Sequence, residues 1–248
     1  MLGVITGASS GIGKQIAYKL AQKKYDLILI ARREDRLLEI KNDLQDYGVN
    51  INVYAYDLSN LSSCKEMINQ LKSYEIDLFI NNAGFGVYGH SFNNETAKEF
   101  DMIDLNIKSL QFLTKEIIKI MKKGTIINIS SMAAFLPTPF LSSYAATKAY
   151  VYSYSQAVRY ELKMSNIPIN LLTVCPGPVI TEFNSVANAS PKMKGLSVEK
   201  CVNSIIKGME KNKPLIIPGI KMKLLKFVIR LTPNWLLLKV AYKVQSKK

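Results

Sequence analysis

Two residues raise the question of chemistry. Tyr144 and Lys148 stand four positions apart in SSYAATKAY, a run of small residues. On a helix the two share a face. An ammonium beside a phenol favours the phenolate and draws the phenol down from its ordinary pKa of about 10. Such a phenol can give or take a proton near neutral pH. The chain has 13 Tyr and 28 Lys, so a single Tyr-x-x-x-Lys pair is no more than chance supplies. Its meaning depends on the company it keeps.

That company is spread along the chain. TGASSGIG, residues 6–13, follows a short apolar run and precedes a helical pattern. Gly7, Gly11 and Gly13 permit a tight turn and close backbone approach. The helix start behind them offers N–H groups to a pyrophosphate, so a dinucleotide is the expected ligand. The second apolar run ends in ILIARRED. An NAD site wants an acid there for the ribose 2′-hydroxyl. Arg32 and Arg33 stand there instead. Guanidinium groups suit a 2′-phosphate, which points to NADP(H). The alternative is a solvated charge cluster, since Glu34, Asp35 and Arg36 follow at once.

Asp57 closes the third run. It can accept from an adenine amino group or cap the next helix, with Ser59 or Asn60 the better cap. Asn81 and Asn82 close the fourth and would satisfy backbone groups around a cofactor; Ala83 and Gly84 leave it room. Ser131 closes the fifth, 13 residues before Tyr144. Ser and Tyr hydroxyls meeting on one carbonyl oxygen would polarise it and deliver a proton. After the sixth run, Pro176, Gly177 and Pro178 break the strand and turn the chain across the site.

These residues need a frame. Apolar runs at 2–5, 27–31, 51–56, 78–80, 125–129, 169–174 and 215–217 read as strands buried on both faces. Segments of helical period lie between them, at 11–24, 34–47, 60–73, 95–121, 144–164 and 197–211. The alternation predicts right-handed βαβ crossovers and an α/β, doubly wound parallel sheet of the Rossmann kind. Sites on such sheets form at the carboxyl ends of the strands, where every motif above falls. Residues 1–218 are predicted to form this domain, and 219–248 a basic amphipathic helical tail.

The composition agrees. With 248 residues, 48% hydrophobic and 21% charged, the chain can build one large core. Cys64, Cys175 and Cys201 are widely spaced, and His90 is the one histidine, so no metal site is expected. Unpaired cysteines and an opening, MLGVITGASS, without a signal-peptide pattern predict a cytoplasmic protein. The net charge is +14, of which eight basic residues and no acidic one lie beyond Gly219.

Taken together the motifs resemble the short-chain dehydrogenase/reductase family, in its short single-domain form, over residues 1–217. The resemblance rests on TGASSGIG, Asp57-Leu58, NNAG, Asn106, Ser131, Tyr144-x-x-x-Lys148 and PGPVIT, in that order. It implies an NADP(H)-dependent oxidoreductase that moves a hydride between nicotinamide and a carbonyl or secondary alcohol. Tyr144 would be the general acid or base. Lys148 would lower its pKa and bind the nicotinamide ribose. Ser131 would polarise the carbonyl, with Ser130 a competitor separated only by spacing. Asn106 would support a proton relay. Gly7, Ser9, Gly11, Ile12, Gly13, Arg32, Arg33, Asp57, Leu58, Asn82, Ala83, Gly84, Tyr144, Lys148, Val179 and Thr181 would touch the cofactor. A homodimer or homotetramer is expected.

Specificity is expected from Phe85, Val87 and Tyr88, from residues 132–136, and from a lid over 181–195 that carries Lys192 and Lys194. These stretches are mostly apolar, which favours an apolar or acyl-type carbonyl or alcohol. In the tail, Leu224, Phe227, Val228 and Leu231 recur at helical spacing, with Lys223, Lys226 and Arg230 on another face. Thr232 and Pro233 read as cap and first residue of a second helix, where Trp235 and Leu238 face Lys239, Lys243 and Lys247. Such helices suit peripheral contact with the inner face of a membrane, or packing on the protein body, better than nucleic acid. The rival to an enzyme is a non-catalytic NADP sensor or membrane-associated scaffold on the same fold. The full Ser131–Tyr144–Lys148 set argues against it.

Overall fold

The computed structural model describes residues 1–183, 187 and 195–246. Seven strands carry the frame: β1 (Leu2–Thr6), β2 (Asp26–Ala31), β3 (Ile51–Ala55), β4 (Leu78–Asn81), β5 (Gly124–Ile129), β6 (Ile169–Val174) and β7 (Leu215–Ile216). They form one sheet in the order β3-β2-β1-β4-β5-β6-β7, parallel throughout. The order reverses between β1 and β4, which pair Gly3 with Leu78 and Ile5 with Ile80. Chain leaving β1 and β4 therefore turns to opposite faces and opens a crevice at their carboxyl ends.

The helices are α1 (Gly11–Gln22), α2 (Glu34–Asp43), α3 (Leu61–Leu71), α4 (Thr96–Ile103), α5 (Leu110–Ile120), α6 (Ser142–Met164), α7 (Val198–Glu210), α8 (Ile220–Leu231) and α9 (Asn234–Gln245). Alternate strand residues point to opposite faces. Ile5 and Leu29 join Ile16, Leu20, Leu37 and Ile205 under α1, α2 and α7. Val4 and Ile28 join Met67, Leu113, Ile117 and Leu162 under α3, α5 and α6. Strands buried on both faces explain why their sequences read as unbroken apolar runs.

The expected helix over 95–121 is three pieces. A π-helical turn, Asp104–Ser109, joins α4 to α5 and holds Asn106. The helix expected over 34–47 stops at Asp43, and a 3-10 turn, Gln45–Tyr47, runs into left-handed Gly48 at φ 61°. Both tail helices form, with two corrections. Pro233 precedes the first residue of α9, and Thr232 closes α8, its hydroxyl donating back to the Val228 carbonyl at 2.8 Å. Lys226 does not share the outer face with Lys223 and Arg230. Its ammonium lies 4.9 Å from the Phe135 ring and 5.9 Å from that of Tyr152. Ile229 is buried beside it with Met132, Cys175 and Ile217. Lys247 lies outside the described residues. Among those described, no helix is long and apolar enough to cross a membrane.

Candidate active site

The glycine loop fits a dinucleotide. Gly7 has φ 64°, and a Cβ there would stand 2.9 Å from the Ala83 Cα. Only glycine lets β1 turn this tightly against the chain leaving β4. Asn82 ties the two together, its Nδ2 donating to the carbonyls of Thr6 and Gly7 at 3.0 and 3.1 Å. Thr6 Oγ1 accepts from the amides of Asn82 and Ala83. Gly11, Ile12 and Gly13 open α1, whose first amides have no intrahelical acceptor. Ser10 caps α1 through backbone alone. Thr181 reaches across from the loop after β6, so that a Cβ on Gly11 would meet its Cγ2 at 3.3 Å. Val179 anchors that loop by bridging to Leu196.

The expected residues differ in how they sit. Arg33 is half-buried, and its Nη2 donates to Ser9 Oγ at 3.2 Å. Arg32 is exposed. Asp57 accepts from the amide and hydroxyl of Ser59, while Asn60 caps α3 by accepting from Ser62 N. Leu58 buries its side chain in the core, so only its backbone remains to meet a ligand. Its carbonyl accepts from Ser109 Oγ. Asn81 turns away from the crevice, donating to the Leu110 carbonyl at 3.1 Å.

On the other side of the crevice Asn106, Ser131, Tyr144 and Lys148 come together. Lys148 is buried and its Nζ donates to the Ile129 carbonyl at 3.0 Å. It stands 5.8 Å from the Tyr144 ring centroid. Asn106, fully buried, accepts from Phe85 N at 3.2 Å and donates to Phe85 O and Thr147 Oγ1 at 2.9 and 3.1 Å. Gly84 lies against both. A Cβ there would stand 2.8 Å from Asn106 Oδ1 and 3.4 Å from Lys148 Nζ. The two serines part company: Ser130 Oγ donates inward to the Lys148 carbonyl at 2.7 Å, while Ser131 Oγ accepts from Ala133 N at 3.1 Å and lies beside the Tyr144 phenol.

Burial governs the titration of this cluster. It pushes the Tyr144 phenol up to about 12, against the downward pull of the Ser131 bond. Burial also lowers Lys148 to about 8. The spacing of Tyr144 and Lys148 predicts a lowered phenol, but the direction here is upward, because loss of hydration on burial dominates. Buried Cys175 reinforces this, its own thiol raised to about 12 by burial.

Four residues at the site had no role assigned from sequence. Thr147 holds Asn106, and Cys175 neighbours Tyr144 and Lys148. Phe183 lies 5.2 Å from Tyr144, ring to ring. Glu182 accepts from Arg33 and Arg36. Only the apolar character of the 181–195 stretch hinted at Phe183. Residues 184–186 and 188–194 of the expected lid, with Lys192 and Lys194, lie outside the described residues.

The comparisons with known proteins agree with this geometry. A family profile described as "short chain dehydrogenase" matches residues 3–192. The chain is 31% identical to the Arabidopsis thaliana "11-beta-hydroxysteroid dehydrogenase-like 3", over 93% of this chain and 77% of that protein. It is 32% identical to the Rattus norvegicus "Very-long-chain 3-oxoacyl-CoA reductase", over 82% of this chain and 67% of that one. Its matches span 59% and 46% of two other curated relatives. A solved short-chain dehydrogenase from Sphingobium yanoikuyae, in complex with NADPH, superposes with a TM-score of 0.83 at 30% identity, covering 88% of both chains. With a sheet of this order, a glycine loop at its first turn and a Ser–Tyr–Lys cluster across the crevice, the chain belongs to the short-chain dehydrogenase family of oxidoreductases.

Proposed function

We propose that the protein is an NADP(H)-dependent oxidoreductase acting on a carbonyl or secondary alcohol, with Tyr144 as general acid or base. The observation that carries this reading is the cluster of half-buried Ser131 with buried Tyr144, Lys148 and Asn106 at the carboxyl end of the sheet. The nicotinamide supplies the hydride chemistry. The chain supplies everything around it. The loop amides and Arg33 would hold the phosphates. Ser131 and Tyr144 would direct two hydroxyls at one substrate oxygen. With its pKa near 12, the phenol keeps its proton until negative charge develops on that oxygen. Lys148, cationic below about pH 8, stands close enough to offset the phenolate that remains. Asn106 holds the backbone beside Lys148, where a proton relay would run.

An apolar or acyl-type substrate is part of the reading. Phe183 sets an aromatic ring 5.2 Å from that of Tyr144, and Phe85, Val87, Tyr88 and residues 132–136 are mostly apolar. The names of the curated relatives, which refer to steroids and long acyl chains, point the same way. The test is loss of NADPH absorbance with a panel of steroid ketones, 3-oxoacyl thioesters and small ketones. Wild type should turn over at least one apolar member. Tyr144→Phe should bind NADPH normally and lose turnover by at least a hundredfold, the size of a general-acid contribution being about 10²–10⁴. NADPH binding without turnover of any carbonyl or alcohol would favour the sensor reading.

A further inference from the structure

The two tail helices meet the body along a narrow stripe. On α8 that stripe is Met222, Lys226 and Ile229; on α9 it is Leu237, Ala241 and Gln245. The apolar positions that the helical spacing marks are turned the other way. Leu224, Phe227, Leu231 and Trp235 are 64%, 61%, 68% and 68% exposed. Of the 21 large hydrophobic side chains exposed among the described residues, 12 lie between Ile220 and Val244. Isolated surface apolar residues need no explanation, but a contiguous set on two consecutive helices marks a surface that something covers.

Charge identifies the cover. Lys221, Lys223, Arg230, Lys239 and Lys243 flank this surface, and no acidic residue follows Glu210. A second copy of the chain would bring the same cations onto the same patch, which opposes a self-complementary pairing. A lipid surface with anionic headgroups offers negative charge to the lysines and hydrocarbon to the leucines at once. Each helix has 12 residues, so they lie along the surface and do not span it. Trp235 and Tyr242 are of the type that settles at the headgroup boundary.

We propose that α8 and α9 dock the protein on an anionic bilayer, with the outward apolar stripe inserted and the basic residues among the headgroups. The docked helices also back the walls of the site. The Met222 sulfur would stand 2.5 Å from a Cβ placed on Gly177. Tyr242 lies 5.2 Å from the Phe140 ring, and the Gln245 carbonyl accepts from the Tyr88 hydroxyl at 2.6 Å. Docking thus brings the segments flanking the crevice to the edge of the lipid phase. The docking stands whether or not the hydride-transfer reading does.

Trp235 is the one tryptophan of the chain, so its emission reports this surface directly. The full chain is mixed with vesicles of phosphatidylcholine, with and without phosphatidylglycerol, and both emission and co-sedimentation are read. With the anionic vesicles Trp235 should shift to the blue and the protein should sediment. Pure phosphatidylcholine or high salt should weaken partitioning at least tenfold, since each basic residue near an anionic surface is worth about fivefold. Lys223→Glu with Lys239→Glu, and separately Leu224→Asp with Leu231→Asp, should each lose at least tenfold. All four side chains are exposed, and unchanged thermal melting would show that the fold is kept. Emission that ignores anionic vesicles overturns the proposal. So does a blue shift in lipid-free protein that rises with concentration alongside the molecular mass, because a second copy then covers the face.

Discussion

Arg33 and Glu182, 149 residues apart in the chain, meet at 3.2 Å. Both terminal nitrogens of Arg33 reach one carboxylate oxygen, and Arg36 takes the other at 2.6 Å. Paired guanidinium groups hold the Glu182 carboxyl below its ordinary pKa. The cation read as a 2′-phosphate contact is thus engaged by an acid from the loop after β6. Phosphate and carboxylate compete for the same donors.

Glu182→Gln should therefore strengthen NADPH binding and leave NADH binding alone. The pair is exposed, so the gain should be about 1.5- to 5-fold, matching roughly 0.2–1 kcal/mol for such bridges. Arg33→Ala should weaken NADPH about ten- to a hundredfold, the value of roughly 1.5–3 kcal/mol for a charge-assisted bond. Arg32→Asp should cost less, because Arg33 and not Arg32 reaches Ser9 of the glycine loop. Fluorescence titration of the four proteins with both cofactors decides it. Equal effects on NADPH and NADH would remove the 2′-phosphate from the account.

Lys148 should make stability depend on pH. Its pKa falls from 10.5 unfolded to about 8 folded. Between these values the unfolded chain binds more protons, so stability rises with pH across that window. Below pH 8 the full penalty of burying the cation is present. Lys148→Met should then be more stable than wild type at pH 7, by about 1–3 kcal/mol. The difference should shrink as pH rises from 8 to 10.5. Urea denaturation at several pH values measures it. A difference independent of pH would show that Lys148 titrates normally.

Asn106→Ala should destabilise by about 2–3 kcal/mol, since it strips partners from the amide and carbonyl of Phe85 and from Thr147 in a buried place. Asn106→Asp keeps the acceptor for Phe85 N and loses both donors. If the loss comes from hydrogen bonding and not from packing, Asp should fail as badly as Ala despite its matching shape. Chemical denaturation separates the two, and a well-tolerated Asp would point to shape.

The seven strands and the order of the site motifs were legible in the sequence for a local reason. A strand buried on both faces must be apolar along its length, and the residues that follow it must lie at the sheet's carboxyl edge. The glycines of the first turn and the helical spacing of Tyr144 and Lys148 are local in the same sense. Direction was another matter. Helical periodicity shows that Leu224, Phe227 and Leu231 share a face; only the packing of α8 against Phe135, Tyr152 and Cys175 turns that face outward and Lys226 inward. Ser130 and Ser131 are one residue apart and chemically alike, and the fold decides between them by burying Ser130 against the Lys148 carbonyl and leaving Ser131 half-buried beside Tyr144. Arg33 meets Glu182, and Tyr144 meets Phe183, across long stretches of chain. The pKa of Tyr144 is likewise a tertiary property. Its spacing from Lys148 predicts a lowered value, but burial raises it, because hydration is lost only when the remaining elements close over the phenol.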